Sequence, residues 1–189
     1  MLHTQVHNKV LFLMTKSVMA LTGDRRVVQI LLVSMFALFL DQASKWAILA
    51  YLQDTSQVVE VTSFFNLRLG FNTGVSFGLF RDLFEGTPLL LALISLIIVV
   101  VLLIWARRSD RSVERIGLAV IAGGALGNIV DRWRQGAVTD FLDFHWADWH
   151  WPAFNGADIF IVVGAACLLL SGIGGAQGAS PIQAGDTAR

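Results

Sequence analysis

The sequence predicts an integral membrane protein, mainly α, with four transmembrane helices, a small outward-facing β-rich loop and a short outer connecting segment. Three observations predict it. First, 55% of the 189 residues are hydrophobic and only 15% are charged, where a soluble domain carries about 25% charged residues. Second, long stretches hold no charge at all: Thr87–Trp105 and Ile159–Gln177, 19 residues each, Ile116–Val130, 15 residues, and Val27–Leu40, 14 residues. A bilayer core needs roughly 20 mainly apolar residues as helix. Third, Lys and Arg gather in alternate connections, as they do where loops alternate between the two sides of a membrane.

Residues 1–26 form a cytoplasmic extension carrying Lys9, Lys16, Arg25 and Arg26. Its VLFLMTKSVMAL stretch resembles a signal-peptide core, but Lys16 breaks it and no small-residue cleavage pattern follows. An uncleaved cytoplasmic or interfacial segment is expected. The first span, near 27–49, combines Val27–Leu40 with the apolar WAILAYL after Lys45. The outer loop 53–86 has Arg68 and Arg81 against Asp54, Glu60, Asp82 and Glu85. Its β-branched and aromatic residues, punctuated by Gly and Asn, predict one or two short strands.

The second span, near 87–105, is followed by the basic cytoplasmic loop 106–115 with Arg107, Arg108, Arg111 and Arg115. The third span runs near 114–133. The outer segment 137–157 has no Lys or Arg, and with Asp158 it brings four aspartates. The fourth span runs near 156–175, so 27–175 make one membrane domain. The Gly/Ala/Ser/Pro-rich tail 176–189 is expected to be disordered and cytoplasmic. A zero net charge argues against nucleic-acid binding, which needs a basic excess. A single cysteine, Cys167, leaves no intramolecular disulfide and no Cys-rich metal cluster.

Ionisable residues in or near a span are functional candidates by default. In DQASKW, Asp41 and Lys45 stand at i and i+4 on one helix face; a structural ion pair is the plainer reading and direct chemistry the other. In NTGVSFGLF, Asn72 and Gly74 suggest a tight turn presenting an amide, or an ordinary hairpin. In GGALGNIVDRWRQGAVTDF, Gly123 and Gly127 allow close helix approach. Asn128, Asp131 and Arg132 follow at the outer end of span three. Arg132 either bridges Asp131 or offers its donors to a substrate carbonyl. In WPAFNGADIF, Pro152 and Asn155 mark a helix start, and Asp158 either complements the helix dipole or reacts.

Asp140 and Asp158 are separated by 17 residues, enough for both carboxylates to meet at the outer surface. Such a pair shares a proton. One carboxylate can then activate water while the other protonates a carbonyl, which is peptide hydrolysis without metal or cofactor. Other chemistries fit worse. The histidines make no HExxH pattern, and there is no GxSxG and no His beside Cys167. The WHWP setting of His145 and His150 suggests interfacial anchoring by the aromatic residues. Asp143 and Asp148 are expected to be solvated surface charges.

DQASK, FNTGVSFG, GGALGNIVDR followed by GAVTDF, and FNGAD resemble, in order, the motifs of bacterial lipoprotein signal peptidase (signal peptidase II). The resemblance covers about 27–175. It departs at the Gly before the Ala of FNGAD and at Val75–Ser76, neither a presumed catalytic position. The resemblance implies an aspartic endopeptidase of the cytoplasmic membrane. It would cut diacylglyceryl-modified prolipoproteins just before the lipidated cysteine, with both termini cytoplasmic and the site at the outer face. It implies a catalytic pair of Asp140 and Asp158. Asn72, Gly74, Asn128, Arg132 and Asn155 would line the substrate site, Asp41 and Lys45 would support it, and Asp131 would orient Arg132. The expected partners are the lipidated precursor and membrane lipid, with the enzyme a monomer. A small transporter using these charges as a polar pathway, or a structural membrane subunit, are the competing readings.

Overall fold

The computed structural model describes residues 25–52, 58–74 and 87–176; the expectations for residues 1–24, 53–57, 75–86 and 177–189 fall outside them. In chain order the elements are α1 (Arg25–Leu52), β1 (Val58–Thr62), β2 (Phe65–Asn72), α2 (Pro88–Arg108), α3 (Ser112–Gln135), β3 (Val138–Trp146), β4 (Trp149–His150) and α4 (Gly156–Ala176). The four predicted spans are all helices; α2 and α4 barely exceed their charge-free runs, whereas α1 and α3, with 28 and 24 residues, extend well beyond theirs. Helix α1, for instance, continues through Asp41 and Lys45. By length and composition α1, α2 and α3 can each cross a membrane. Helix α4 has 21 residues, about 30 Å at 1.5 Å per residue, which matches the hydrocarbon thickness.

Helix α3 lies in the middle and packs on each of the other three. It carries a row of small residues, so neighbouring backbones come close. A Cβ at Gly123 would strike the Ser34 carbonyl and the Ala37 side chain of α1, and one at Gly127 would overlap the Asp41 carboxylate. The predicted Gly123/Gly127 face therefore serves packing within the chain. An apolar cluster of Ile30, Ala106, Leu118 and Ala119 joins α1, α2 and α3. The outer helices turn large apolar side chains outward: Leu32, Phe36 and Phe39 on α1, Leu89 and Ile97 on α2, Leu169 and Leu170 on α4. Such surfaces suit lipid and not water.

One finding goes beyond the expected short loop strands. Within the segment 137–157, Val138–Trp146 and Trp149–His150 are strands, and they join β1 and β2 in an antiparallel sheet ordered β1-β2-β3-β4. Helix α3 ends at Gly136, whose left-handed φ of 74° returns the chain, with its N–H on the Arg132 carbonyl at 3.1 Å. Strand β3 follows at once. It pairs with β2 as Asn72↔Val138, Gly70↔Asp140 and Asn66↔Asp143. Between Leu67 and Gly70 the register shifts, and such a bulge re-aims the side chains beyond it. After the β4 turn the chain runs back along β3, with the Phe154 N–H on the Leu142 carbonyl at 3.1 Å and the Phe154 carbonyl accepting from the Leu142 N–H at 2.9 Å. This return delivers Asn155 and the start of α4 beside Asp140.

Candidate active site

The site forms where the sheet meets the ends of α1, α3 and α4. Its foundation is a buried ionic network. Lys45 Nζ lies 2.9 Å from Asp41 Oδ2, 2.9 Å from Asp131 Oδ2 and 2.8 Å from Asn128 Oδ1. The three charged residues are almost wholly buried, Asp41 at 0%, Lys45 at 2% and Asp131 at 4% exposure. Gln42 Nε2 adds bonds to Asp41 Oδ2 at 3.2 Å, Asp131 Oδ1 at 2.9 Å and the Gly127 carbonyl at 3.1 Å. The two carboxylates also hold backbone: Asp41 Oδ1 accepts from the Ala157 N–H at 2.7 Å and Asp131 Oδ2 from the Thr139 N–H at 3.1 Å. One network thus ties α1 and α3 to the start of α4 and to the residue before Asp140. A buried pair satisfied this fully fixes geometry, and it becomes costly when one partner is removed.

Above this base, Asp140 and Asp158 are joined through Asn155. Asn155 Nδ2 donates to Asp140 Oδ1 at 2.6 Å, and Asn72 Nδ2 donates to Asp140 Oδ2 at 3.2 Å. Asp158 Oδ2 accepts from the Asn155 N–H at 3.2 Å while the Asp158 N–H donates to Asn155 Oδ1 at 3.2 Å. This reciprocal cap starts α4. Asp158 Oδ1 accepts from Asn128 Nδ2 at 3.2 Å. Asn155 therefore stands between the carboxylates and touches both, and Asn128 links Asp158 to Lys45. The chain separation allowed this link, and the β3 return accomplishes it.

Burial pushes the Asp140 carboxyl up to about 6, and the nearby Asp158 adds to the rise; the Asn155 and Asn72 amides and the Lys45 charge oppose it. Because the folded state binds this proton more tightly than the unfolded chain, the resulting stabilisation is complete below about pH 4 and is lost as pH rises through about 6. The Tm of the unsubstituted protein is therefore expected to fall between pH 5 and pH 8. The part of the stabilisation lost over that range, about 1–1.5 kcal/mol of a total of about 3 kcal/mol, disappears in Asp140→Asn. Parallel thermal melts of the two proteins over that range check this, and identical pH slopes would contradict it.

Of the two readings open for Arg132, the bridge to Asp131 does not form. Asp131 turns to Lys45, Gln42 and Thr139, whereas Arg132 Nη2 donates to the Gly74 carbonyl at 2.9 Å and Nη1 to the Asn128 carbonyl at 3.4 Å. Among the described residues, Arg132 Nε is buried without a partner. Gly74 closes the expected turn, its N–H on Asn72 Oδ1 at 3.0 Å. The turn thus presents Asn72 to Asp140 and its carbonyl to Arg132.

Asp143 overturns its expectation as a solvated charge. It is 2% exposed, and both its oxygens face His150 Nδ1, at 2.8 and 3.0 Å. The cause is the strand: Asp143 sits opposite Asn66 of β2, beneath the returning chain. Asp148 is exposed as expected. Replacing His150 with Phe leaves the Asp143 carboxylate without its imidazole partner, and a loss of about 1–3 kcal/mol is expected. Adding Asp143→Leu should recover most of it, and a double-mutant cycle in Tm measures the coupling. Gln42, Thr139 and the Asp143–His150 pair were missed in the sequence. Of these only Gln42 left a signal there, a polar side chain inside the DQASK turn.

Residues 33–173 match the family profile described as signal peptidase (SPase) II. The chain is 41% identical over 151 residues to a lipoprotein signal peptidase of Rhodopseudomonas palustris (strain TIE-1), covering 77% of this chain and 92% of the relative. It is 40% identical over 156 residues to one of Aeromonas hydrophila, covering 82% and 93%. In fold it is similar to a bacterial membrane enzyme solved by the in meso method at 2.3 Å, with a TM-score of 0.67 and 23% identity over 86% of this chain and 96% of that one.

Proposed function

We propose a reaction from one premise: this chain belongs to the signal peptidase II family. It removes signal peptides from lipoproteins and does so as an aspartic endopeptidase, with Asp140 and Asp158 as the catalytic pair. Its substrate is the prolipoprotein already carrying diacylglycerol on cysteine, cut just before that residue. The observation that carries this reading is Asn155, hydrogen-bonded to both Asp140 and Asp158 at one end of the bundle.

Two neighbouring carboxylates do not both ionise readily, so the pair holds one proton. The ionised member takes a proton from water, whose oxygen adds to the scissile carbonyl carbon. The protonated member gives its proton to the carbonyl oxygen. The resulting diol collapses, the C–N bond breaks, and the amine of the lipidated cysteine leaves with a proton returned by the pair. Arg132, whose Nε has no partner among the described residues, offers a donor to a substrate carbonyl. Asn72 and Asn128 hold the two carboxylates from opposite sides. Asp41 and Lys45 support the pair from beneath, and Asp131 acts on the strand through Thr139.

Both termini lie on the cytoplasmic side of the bacterial inner membrane and the site faces outward. The Arg-rich 106–115 loop and the Lys/Arg-free 137–157 segment support that placement. The enzyme works as a monomer, drawing its substrate sideways from lipid. A polar transport pathway is disfavoured because Asp41, Lys45 and Asp131 are closed on one another.

The test is direct. The purified chain alone should release the signal peptide from a diacylglyceryl-modified precursor, leaving the unlipidated precursor intact. Since the two carboxylates supply the acid and the base, cleavage should survive EDTA. Strong inhibition reversed by zinc would replace the aspartic mechanism with a metal one.

A further inference from the structure

We propose that an apolar groove between the Trp151–Phe154 return and the first turns of α4 seats an acyl chain of the lipidated substrate, a reading that rests on the peptidase function above. The cavity has a volume of about 450 Å³ and is lined by Trp151, Pro152, Phe154, Ile159, Val162 and Val163, with Asp158 at its edge. That size suits a ligand pocket. Among the described residues Asp158 is the one ionisable group on its wall, so the groove is apolar except where it meets the catalytic pair. Ile159, Val162 and Val163 remain 43%, 68% and 49% exposed, which opens the groove sideways along α4 toward the bilayer.

Its continuity with Asp158 identifies the occupant. The substrate's lipid hangs from the residue that follows the scissile bond. Once the scissile carbonyl reaches Asp158, the lipid starts at the mouth of the groove. Any phospholipid tail could enter the same space, but only the substrate's chain is covalently tied to the reacting carbonyl. Lipid tails are as apolar as Leu, so an acyl chain gains little free energy by leaving bilayer for protein. The gain is orientation: a seated chain restricts the scissile bond to the attack geometry. Val162 lies one helical turn beyond Asp158, so long chains pass it and short chains end before it.

The full-length purified chain, assayed in detergent micelles on precursors bearing dipalmitoyl or dibutyryl glycerol, tests this. Val162→Trp fills the groove from a lipid-facing position and should lower kcat/KM for the dipalmitoyl precursor about tenfold while leaving the dibutyryl precursor unchanged. Val163→Trp, on the adjoining wall, should shift the same ratio. Val100→Trp, 50% exposed on α2 and outside the groove, should not. Equal losses on both precursors, no loss on either, or the same shift from Val100→Trp would overturn the acyl seat and leave the groove to bulk lipid. Failure of the unsubstituted chain to cleave either precursor would instead overturn the peptidase reading itself.

Discussion

Asp140→Asn and Asp158→Asn each lower cleavage of a lipidated precursor by about 10³-fold or more, and the double variant is no slower than the slower single one. Asn keeps the volume of Asp and one acceptor oxygen. The Asn155 contacts can therefore persist, and the α4 cap can form with an amide oxygen in place of the Asp158 carboxylate. What Asn cannot do is carry or accept the transferred proton. A pair that shares one proton acts as a unit, so losing either member removes the whole acid–base relay. Single-turnover cleavage by each purified variant, alongside its Tm, separates chemistry from folding. Activity within about tenfold of the unsubstituted chain would remove that aspartate from the catalytic pair.

Lys45→Met produces the largest structural effect, a loss of about 3–5 kcal/mol. It strips the only ammonium from between Asp41 and Asp131, both buried and each within 2.9 Å of Nζ, and leaves two like charges facing each other across α1 and α3. The Asn128 oxygen loses its 2.8 Å donor at the same time and keeps the longer 3.4 Å bond from Asn155, so the amide behind Asp158 is held less firmly. Turnover should fall together with stability. Adding Asp41→Asn should restore part of the loss, since one of the two stranded carboxylates becomes neutral while an oxygen remains for the Ala157 N–H. Unfolding in detergent measures both variants. A cost under about 1 kcal/mol would mean that the network does not hold these charges.

The helices were legible in the sequence because the bilayer imposes a local requirement: a span needs an unbroken apolar run, and any charge inside it stands out. The Asp41–Lys45 pair was legible for a similar reason, since a spacing of four places two side chains on one face whatever surrounds them. The Asp131–Arg132 bridge, one of the two readings open for Arg132, does not form, for the same geometric reason. Adjacent helical residues point about 100° apart, so Asp131 reaches α1 while Arg132 reaches the β2 turn. Asp143 was misread because its neighbours in sequence are those of an outer loop, whereas its neighbours in space are Asn66 and His150, and only strand pairing creates that burial.

The sequence by itself determined a mainly helical membrane fold, the loops in which its basic residues gather, and the polar residues from which the candidate site is built. All of these depend on composition or on spacing within one element. Tertiary structure alone decided that β3 crosses beside β2, that Asn155 stands between Asp140 and Asp158, and that Lys45 serves Asp41, Asp131 and Asn128 together. The physical reason is distance along the chain. Asn72 and Asp140 are 68 residues apart and Asp41 and Ala157 are 116 apart, and such contacts exist only once helix packing and sheet register have closed around them.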